Sequence, residues 1–179
     1  MLQKSSTLKI AQVFFDEPTK QHYLMEISRK ANLAHTATKN ILKQLEKDSI
    51  ITKISEKKGK RTFPLYEANK LNNTYKFYKK IANKIALENS KLISFLHDKC
   101  MPNAIILFGS YARGEDTEES DIDLFIESEK VEISLEKFEK KLKRTIQLHY
   151  KRKFKDMLKE LKNNIMNGIV LDGYVVGFE

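Results

Sequence analysis

The chain has 179 residues, 41% hydrophobic and 32% charged, with a formal net charge of +9. That length leaves room for two small domains with a core in each, and no apolar run approaches the roughly eighteen residues needed to cross a bilayer. The single cysteine, Cys100, excludes an internal disulfide framework and fits a reducing compartment, so a cytoplasmic protein without a membrane segment is expected.

The charge is uneven. Residues 1–70 carry fourteen Lys and Arg against seven acids, whereas 102–179 carry thirteen against fifteen, so the basic surplus lies in the first part and suits nucleic-acid binding there. Leu8, Ile10, Ala11, Phe14 and Phe15 form a helical stripe that should stop near Asp16-Glu17-Pro18, since proline disfavours continuation. Leu24, Ile27 and Ala31 have core spacing on a second short helix. After a turn at Asn32-Leu33-Ala34, a third helix has Ala37, Ile41, Leu42 and Leu45 inward and His35, Thr36, Lys39, Asn40 and Lys43 outward. Residues 50–55 and 62–66 then read as two strands of a hairpin with a basic tip, and Pro64 lacks a donor and fits only an edge strand.

Two short helices joined by a tight turn and followed by a hairpin resemble a winged helix-turn-helix of the kind found in bacterial and archaeal regulators. By that resemblance residues 1–69 form a DNA-binding domain. Thr36, Thr38, Lys39, Asn40 and Lys43 are then the candidates for a helix in the major groove of double-stranded DNA, and Lys57, Lys58, Lys60 and Arg61 for backbone contacts from the wing. Ser49 stands where a glycine often precedes the wing.

Residues 71–100 contain neither Gly nor Pro and place Phe77, Ile81, Ile85, Leu92, Ile93 and Leu96 at helical intervals. A linker helix over 70–101 is expected, with a break near Asn89-Ser90. Its stripe suits a homodimer, and the alternative is packing on the chain's own second domain.

A sharper signal follows. Asn103-Ala104-Ile105-Ile106-Leu107-Phe108 reads as a buried strand that delivers the chain to Gly109-Ser110-Tyr111-Ala112-Arg113-Gly114. Glycine permits a tight turn and close approach to a ligand, Ser110 offers an amide and a hydroxyl to phosphate oxygens, and Arg113 adds a planar cation. Beyond an acidic loop, Ser120-Asp121-Ile122-Asp123-Leu124 begins a second strand. Asp121 and Asp123 project from one face of it, where two hard oxygen ligands can hold Mg²⁺. A solvated strand face is the plainer reading, but Asp is a poor strand former and two at alternate positions need a reason.

The stretch from Gly109 to Ile126 resembles the DNA polymerase beta-type nucleotidyltransferase superfamily, in particular its minimal members. The resemblance implies an α+β chain whose residues 102–179 form a small mixed-sheet transferase domain. It implies NTP binding, ATP first among the candidates, through Gly109, Ser110, Arg113 and Ser120, and it implies Asp121 and Asp123 as catalytic holders of Mg²⁺, with Mn²⁺ as an alternative ion. The acceptor hydroxyl is left open among a protein, such as a partner toxin, an RNA end and a small molecule. The family's third carboxylate comes from a later strand, here 145–150, where Gln147 occupies the position and His149, two residues on, offers itself as a base; Glu127 and Glu132 are nearer acids. Gln147 favours a second reading, a transcriptional regulator whose inactive transferase-like domain senses nucleotide or mediates dimerisation. The remaining pattern gives a helix over 134–145, a strand over 146–150, a helix over 154–166 begun by Lys151-Arg152-Lys153, and a terminal strand over 168–174. His22, His35 and His97 are scattered without metal-ligand spacing.

Overall fold

The computed structural model describes residues 5–154 and 157–175, and the chain is α+β with two small sheets. It divides into two compact units, Met1–Ala82 and Asn83–Glu179, which meet within the segment expected as a linker. No helix among the described residues is long and apolar enough to cross a membrane.

In the first unit, α1 (Ser6–Asp16) is capped by the Ser5 hydroxyl, which accepts from the Leu8 amide at 3.2 Å, and buries Ile10, Ala11, Val13, Phe14 and Phe15. A two-residue strand, β1 (His22–Tyr23), leads into α2 (Leu24–Ala31), which ends at Asn32 with φ +53, and α3 (His35–Lys47) follows. Thr38, Leu42 and Leu45 are the buried residues of α3. Leu42 and Leu45 face inward as expected and Ile41 packs partly buried beside them, but Ala37 is exposed, and Thr38 is buried in its stead with its hydroxyl donating to the Ala34 carbonyl at 3.1 Å. That bond satisfies the hydroxyl inside the core, so a polar residue can hold an inward position.

The strands β2 (Ile51–Lys58) and β3 (Arg61–Ala68) pair along their full length, with Lys58 opposite Arg61, so the hairpin is longer and its tip shorter than the sequence suggests. Gly59 turns the tip at φ +61, and Ser49 enters the hairpin at φ +59, the conformation for which glycine is the easier residue. The Asn69 side-chain amide donates to the Ser49 carbonyl at 3.1 Å and holds this turn. The order β1-β3-β2 makes β3 central, contrary to the edge position expected from Pro64. Proline is tolerated because β1 pairs only with Leu65 and Tyr66, which leaves the β1 side of Pro64 without a partner strand.

The helix expected between the domains is two, α4 (Asn73–Ser90) and α5 (Leu92–Cys100), broken at Lys91 with φ +67. At the start of α4 the Tyr75 hydroxyl donates to the Phe14 carbonyl at 2.9 Å inside the first unit.

The second unit is a sheet of order β6-β5-β4-β7. Its strands are β4 (Ala104–Phe108), β5 (Ile122–Glu127), β6 (Ile146–Lys151) and β7 (Ile169–Gly173). β4 is antiparallel to β5 and β7, whereas β5 and β6 are parallel, so the chain must cross between the last two. That crossover contains α7 (Glu136–Leu142), shorter than the 134–145 expected because Lys143 turns out of the helix at φ +55. Ile105, Leu107, Ile122, Leu124, Ile126 and Ile146 pack with Leu92, Leu96 and Phe138 on one face of the sheet. Ile106, Phe108 and Phe125 pack with Phe154, Met157 and Ile165 on the other. The helix expected over 154–166 is present as α8 (Lys159–Met166). Its expected basic start is otherwise placed, since Lys151 ends β6, and residues 155–156 lie outside the described part.

His97 of α5 and Asp172 of β7 make an exposed ion pair at 2.6 Å. The hydrogen bond to Asp172, helped by its charge, raises the His97 pKa above the ordinary imidazole value. The tie should therefore be fully present below about pH 6.5 and be lost as pH rises through the raised folded-state value. NMR titration of the four histidines is expected to show His97 titrating high, with Asp172→Asn returning it to the ordinary range. A normal His97 titration in the unmutated chain would exclude the pair in solution.

Candidate functional site

β4 carries five consecutive buried residues and ends where Phe108 pairs with Asp123 of β5. This register places the turn that follows beside the acid. Gly109, with φ +74, begins the short helix α6 (Gly109–Arg113), and a Cβ at Gly109 would run into the carboxylate of Asp123. Glycine is thus required twice, by the left-handed backbone and by the close approach. Gly114, at φ +69, closes α6, and the Glu115 amide donates to the Ser110 carbonyl at 3.0 Å.

The loop 114–121 joins the two halves of the motif and is held from beneath. Asp116 is 2% exposed and accepts from the Asn83 side-chain amide at 2.8 Å, and the same amide donates to the Tyr111 carbonyl at 2.9 Å. Arg144, itself nearly buried, lies 3.8 Å from Asp116. Sequence reasoning missed this cluster because an acid in a polar loop and a base beside a basic helix carry no sign of burial. At the loop's end the Ser120 hydroxyl accepts from the Thr117 amide at 2.9 Å, which fixes the approach to Asp121. Arg113, half exposed, donates through Nε to Glu115 at 2.8 Å, so part of its charge is balanced locally.

Asp121 and Asp123 are both half-buried at the start of β5. One oxygen of Asp123, Oδ2, faces Gly109, and the other, Oδ1, lies 3.4 Å from Nε2 of His149. The His149 ring packs on Phe108 with centroids 5.1 Å apart. Gln147 lies directly beside Asp123 in the parallel register of β5 and β6 and is exposed. Glu127 is not a third ligand: it is four residues along β5, roughly 13 Å away at strand rise, and accepts from the Phe154 amide at 2.8 Å. Glu132 lies in the exposed loop after β5 and pairs with Lys130 at 2.9 Å. The Asp123 carboxylate and the His149 imidazole therefore lie together next to a glycine turn, whereas among the described residues only Glu17, His22 and Glu26 bring three possible cation ligands within 4.8 Å of one another.

In the first unit Thr36, Lys39, Asn40 and Lys43 are exposed on α3, whereas Thr38 is buried and leaves the DNA-facing set. Lys57, Lys60 and Arg61 are exposed around the hairpin tip. Lys58 is engaged, donating to the Tyr23 hydroxyl at 2.6 Å and pairing with Glu56 at 3.2 Å. His22, read as an isolated histidine, is fully buried with its two ring nitrogens facing Glu26 at 3.0 Å and Glu17 at 3.6 Å. The ammonium of Lys30 already pairs with both glutamates. Burial by itself would raise the Glu17 and Glu26 pKa values, but the hydrogen bond from Lys30, joined by Lys20 at Glu17 and His22 at Glu26, prevails and lowers both.

Residues 89–172, just under half of the chain, match the family described as the nucleotidyltransferase domain. A Methanocaldococcus jannaschii protein named a putative protein adenylyltransferase is 66% identical over 32 residues, which cover 18% of this chain and 32% of the relative. The chain thus spans about a third of the length of that relative. No solved structure gives a significant match. These likenesses place a nucleotidyltransferase domain in the second part of the chain and support a transferase.

Proposed function

We infer that the protein is a DNA-binding nucleotidyltransferase, and that it moves the adenylyl group of ATP to a hydroxyl of a protein. The observation that supports this reading is the close approach of Gly109 to the Asp123 carboxylate, between the turn we read as the phosphate cradle and the acid we read as a cation ligand. Gly109 and Ser110 would cradle the phosphates, with Arg113 adding charge, and Asp121 and Asp123 would hold Mg²⁺ or Mn²⁺. When bound, the ion neutralises the triphosphate and the departing charge. The acceptor oxygen bonds to the α-phosphorus, the bond from that phosphorus to the β-bridging oxygen breaks, and pyrophosphate leaves as the acceptor's proton is released to a base or water. A protein acceptor follows the name of the M. jannaschii relative, and a partner toxin is one such protein by the family resemblance. The test is transfer of label from α-labelled NTPs, with Mg²⁺ or Mn²⁺, to the protein itself, to cell extract or to RNA. Label confined to RNA would replace the protein acceptor.

Gln147 beside Asp123 supports the second reading, a nucleotide sensor that binds without transfer. Nucleotide binding with no labelled product under any of these conditions would establish it.

We place DNA on the first unit, read as a winged helix with α3 in the major groove. Thr36, Lys39, Asn40 and Lys43 offer the outward face of α3, and Lys57, Lys60 and Arg61 offer the wing tip. Phe77 and Ile81, one turn apart on α4, are exposed apolar residues that suit a second copy and hence paired half-sites. Replacing Lys57, Lys60 and Arg61 by Ala is expected to make the slope of log K against log salt shallower by about 0.9 for each phosphate the wing no longer neutralises. Fluorescence anisotropy on duplex DNA across a salt series measures it, and an unchanged slope would remove the wing from the interface.

A further inference from the structure

We propose that Glu17, His22 and Glu26 form a binding site in the first unit for one divalent transition ion, Zn²⁺ before others, and that the ion displaces the ammonium of Lys30. The three residues come from the end of α1, from β1 and from the first turn of α2, and each offers a ligand atom within 4.8 Å of the other two. Ligands of a tetrahedral ion with bonds of about 2.1 Å stand about 3.4 Å apart. The ring nitrogens of His22 lie 3.0 Å from Glu26 and 3.6 Å from Glu17, which is the same scale. His22 is completely buried, and its Nε2, on the side of Glu17, has no hydrogen-bond partner. A buried nitrogen in that state is costly, and a metal ion at the two acids offers the ring a bond that it lacks. An ion bonded to one ring nitrogen leaves the other able to donate to a carboxylate, the arrangement that fixes the ring of a metal-bound histidine. Phe14 already orients the ring edge-on, with centroids 5.6 Å apart, and β1 pairs His22 with Tyr66 of β3. The side chains of Glu17 and Glu26 are partly exposed, which leaves a hydrated ion a way in.

Lys30 marks the place of the ion. Its ammonium pairs with both glutamates, at 2.8 Å from Glu26, so a cation already sits between the two acids. The Lys30 side chain is 36% exposed, and its flexible stem can swing the charge into water. A divalent ion brings twice the charge to the same carboxylates and, unlike an ammonium, can bond the lone pair of an imidazole. Two carboxylates and one imidazole, with water in the fourth position, suit Zn²⁺, whereas Mg²⁺ and Ca²⁺ take oxygen ligands alone. Lys20, 3.1 Å from Glu17, stays to support that acid.

Zn²⁺ added to the full chain labelled with ¹⁵N-histidine tests the site by NMR. A ring nitrogen of His22 is expected to shift on coordination, and the shift should persist in the Asp121→Asn/Asp123→Asn chain, which separates this site from the acids of the second unit. Zn²⁺ should also raise the unfolding midpoint of the first unit, because it binds only the folded arrangement of α1, β1 and α2. Glu26→Gln keeps the shape of the side chain and should weaken Zn²⁺ binding by at least about a hundredfold, the upper end of the effect of losing an outer partner of a metal site. Lys30→Met removes the competing ammonium and should tighten binding, an effect of opposite sign to that of Glu26→Gln. Thermal unfolding without Zn²⁺ checks that both variants are folded. A His22 signal unchanged by excess Zn²⁺ would overturn the site and leave the cluster as an ion-paired brace between α1 and α2. Undiminished binding in folded Glu26→Gln would remove the third ligand and with it the site, and weaker binding in folded Lys30→Met would overturn the displacement of the ammonium.

Discussion

Asp123→Asn is expected to reduce nucleotidyl transfer by about a thousandfold or more, equivalent to roughly 4 kcal/mol of transition-state stabilisation. The substitution keeps the shape of the side chain and removes its charge. It therefore changes the carboxylate that touches Gly109 on one side and His149 on the other while leaving the pairing of Phe108 with residue 123 in place. Asparagine is a weaker ligand for a divalent ion. The rate of label transfer from α-labelled ATP measures the loss, and thermal unfolding should show the variant folded. Transfer within tenfold of the unmutated rate, in a chain shown to be folded, would mean that Asp123 holds no catalytic cation. The pairing with Gly109 would then be structural only.

Phe125→Ala is expected to destabilise the second unit by about 3–5 kcal/mol. Phe125 is completely buried and meets Phe154 edge-on, with centroids 6.0 Å apart, on the sheet face that also carries Asp123. Removing the ring deletes its contact with Phe154, in the segment before α8, and leaves a void in this cluster. Against a typical stability of about 5–15 kcal/mol for a small domain, that is a large share. Denaturant unfolding, followed through the transition of the second unit, should show a lower midpoint with little change in slope. The same replacement at Met166, which is 66% exposed, should shift it by no more than about 0.5 kcal/mol. A loss below about 1 kcal/mol at Phe125 would show that this face of the sheet is not tightly packed in solution.

Both sites are legible before the fold, to different degrees. Gly109-Ser110 and Asp121/Asp123 stand out because their chemistry is local: a glycine turn and alternate acids on a strand are tied to spacing along the chain. Their meeting is not legible, since it depends on Phe108 pairing with Asp123 across two antiparallel strands. On α3 the inward place expected for Ala37 goes to Thr38, because hydropathy favours alanine inward and takes no account of a hydroxyl satisfied by Ala34. Pro64 reads correctly as a residue without a donor and wrongly as the mark of an edge, because a two-residue strand is too short to announce itself by periodicity.

The sequence by itself determined the order of the longer helices and strands, the break in the central helix, the basic first unit and the acids of the second, because helical and strand periodicity, turn residues and charge are properties of near neighbours in the chain. Tertiary structure alone decided which distant groups share a site. It set Gln147 beside Asp123, turned His149 toward that acid, sent Glu127 to the Phe154 amide and buried Asp116 with Asn83 and Arg144. The reason is physical: strand register and crossover direction are fixed by the packing of two sheet faces at once, and a change of one residue in register would reverse every side chain.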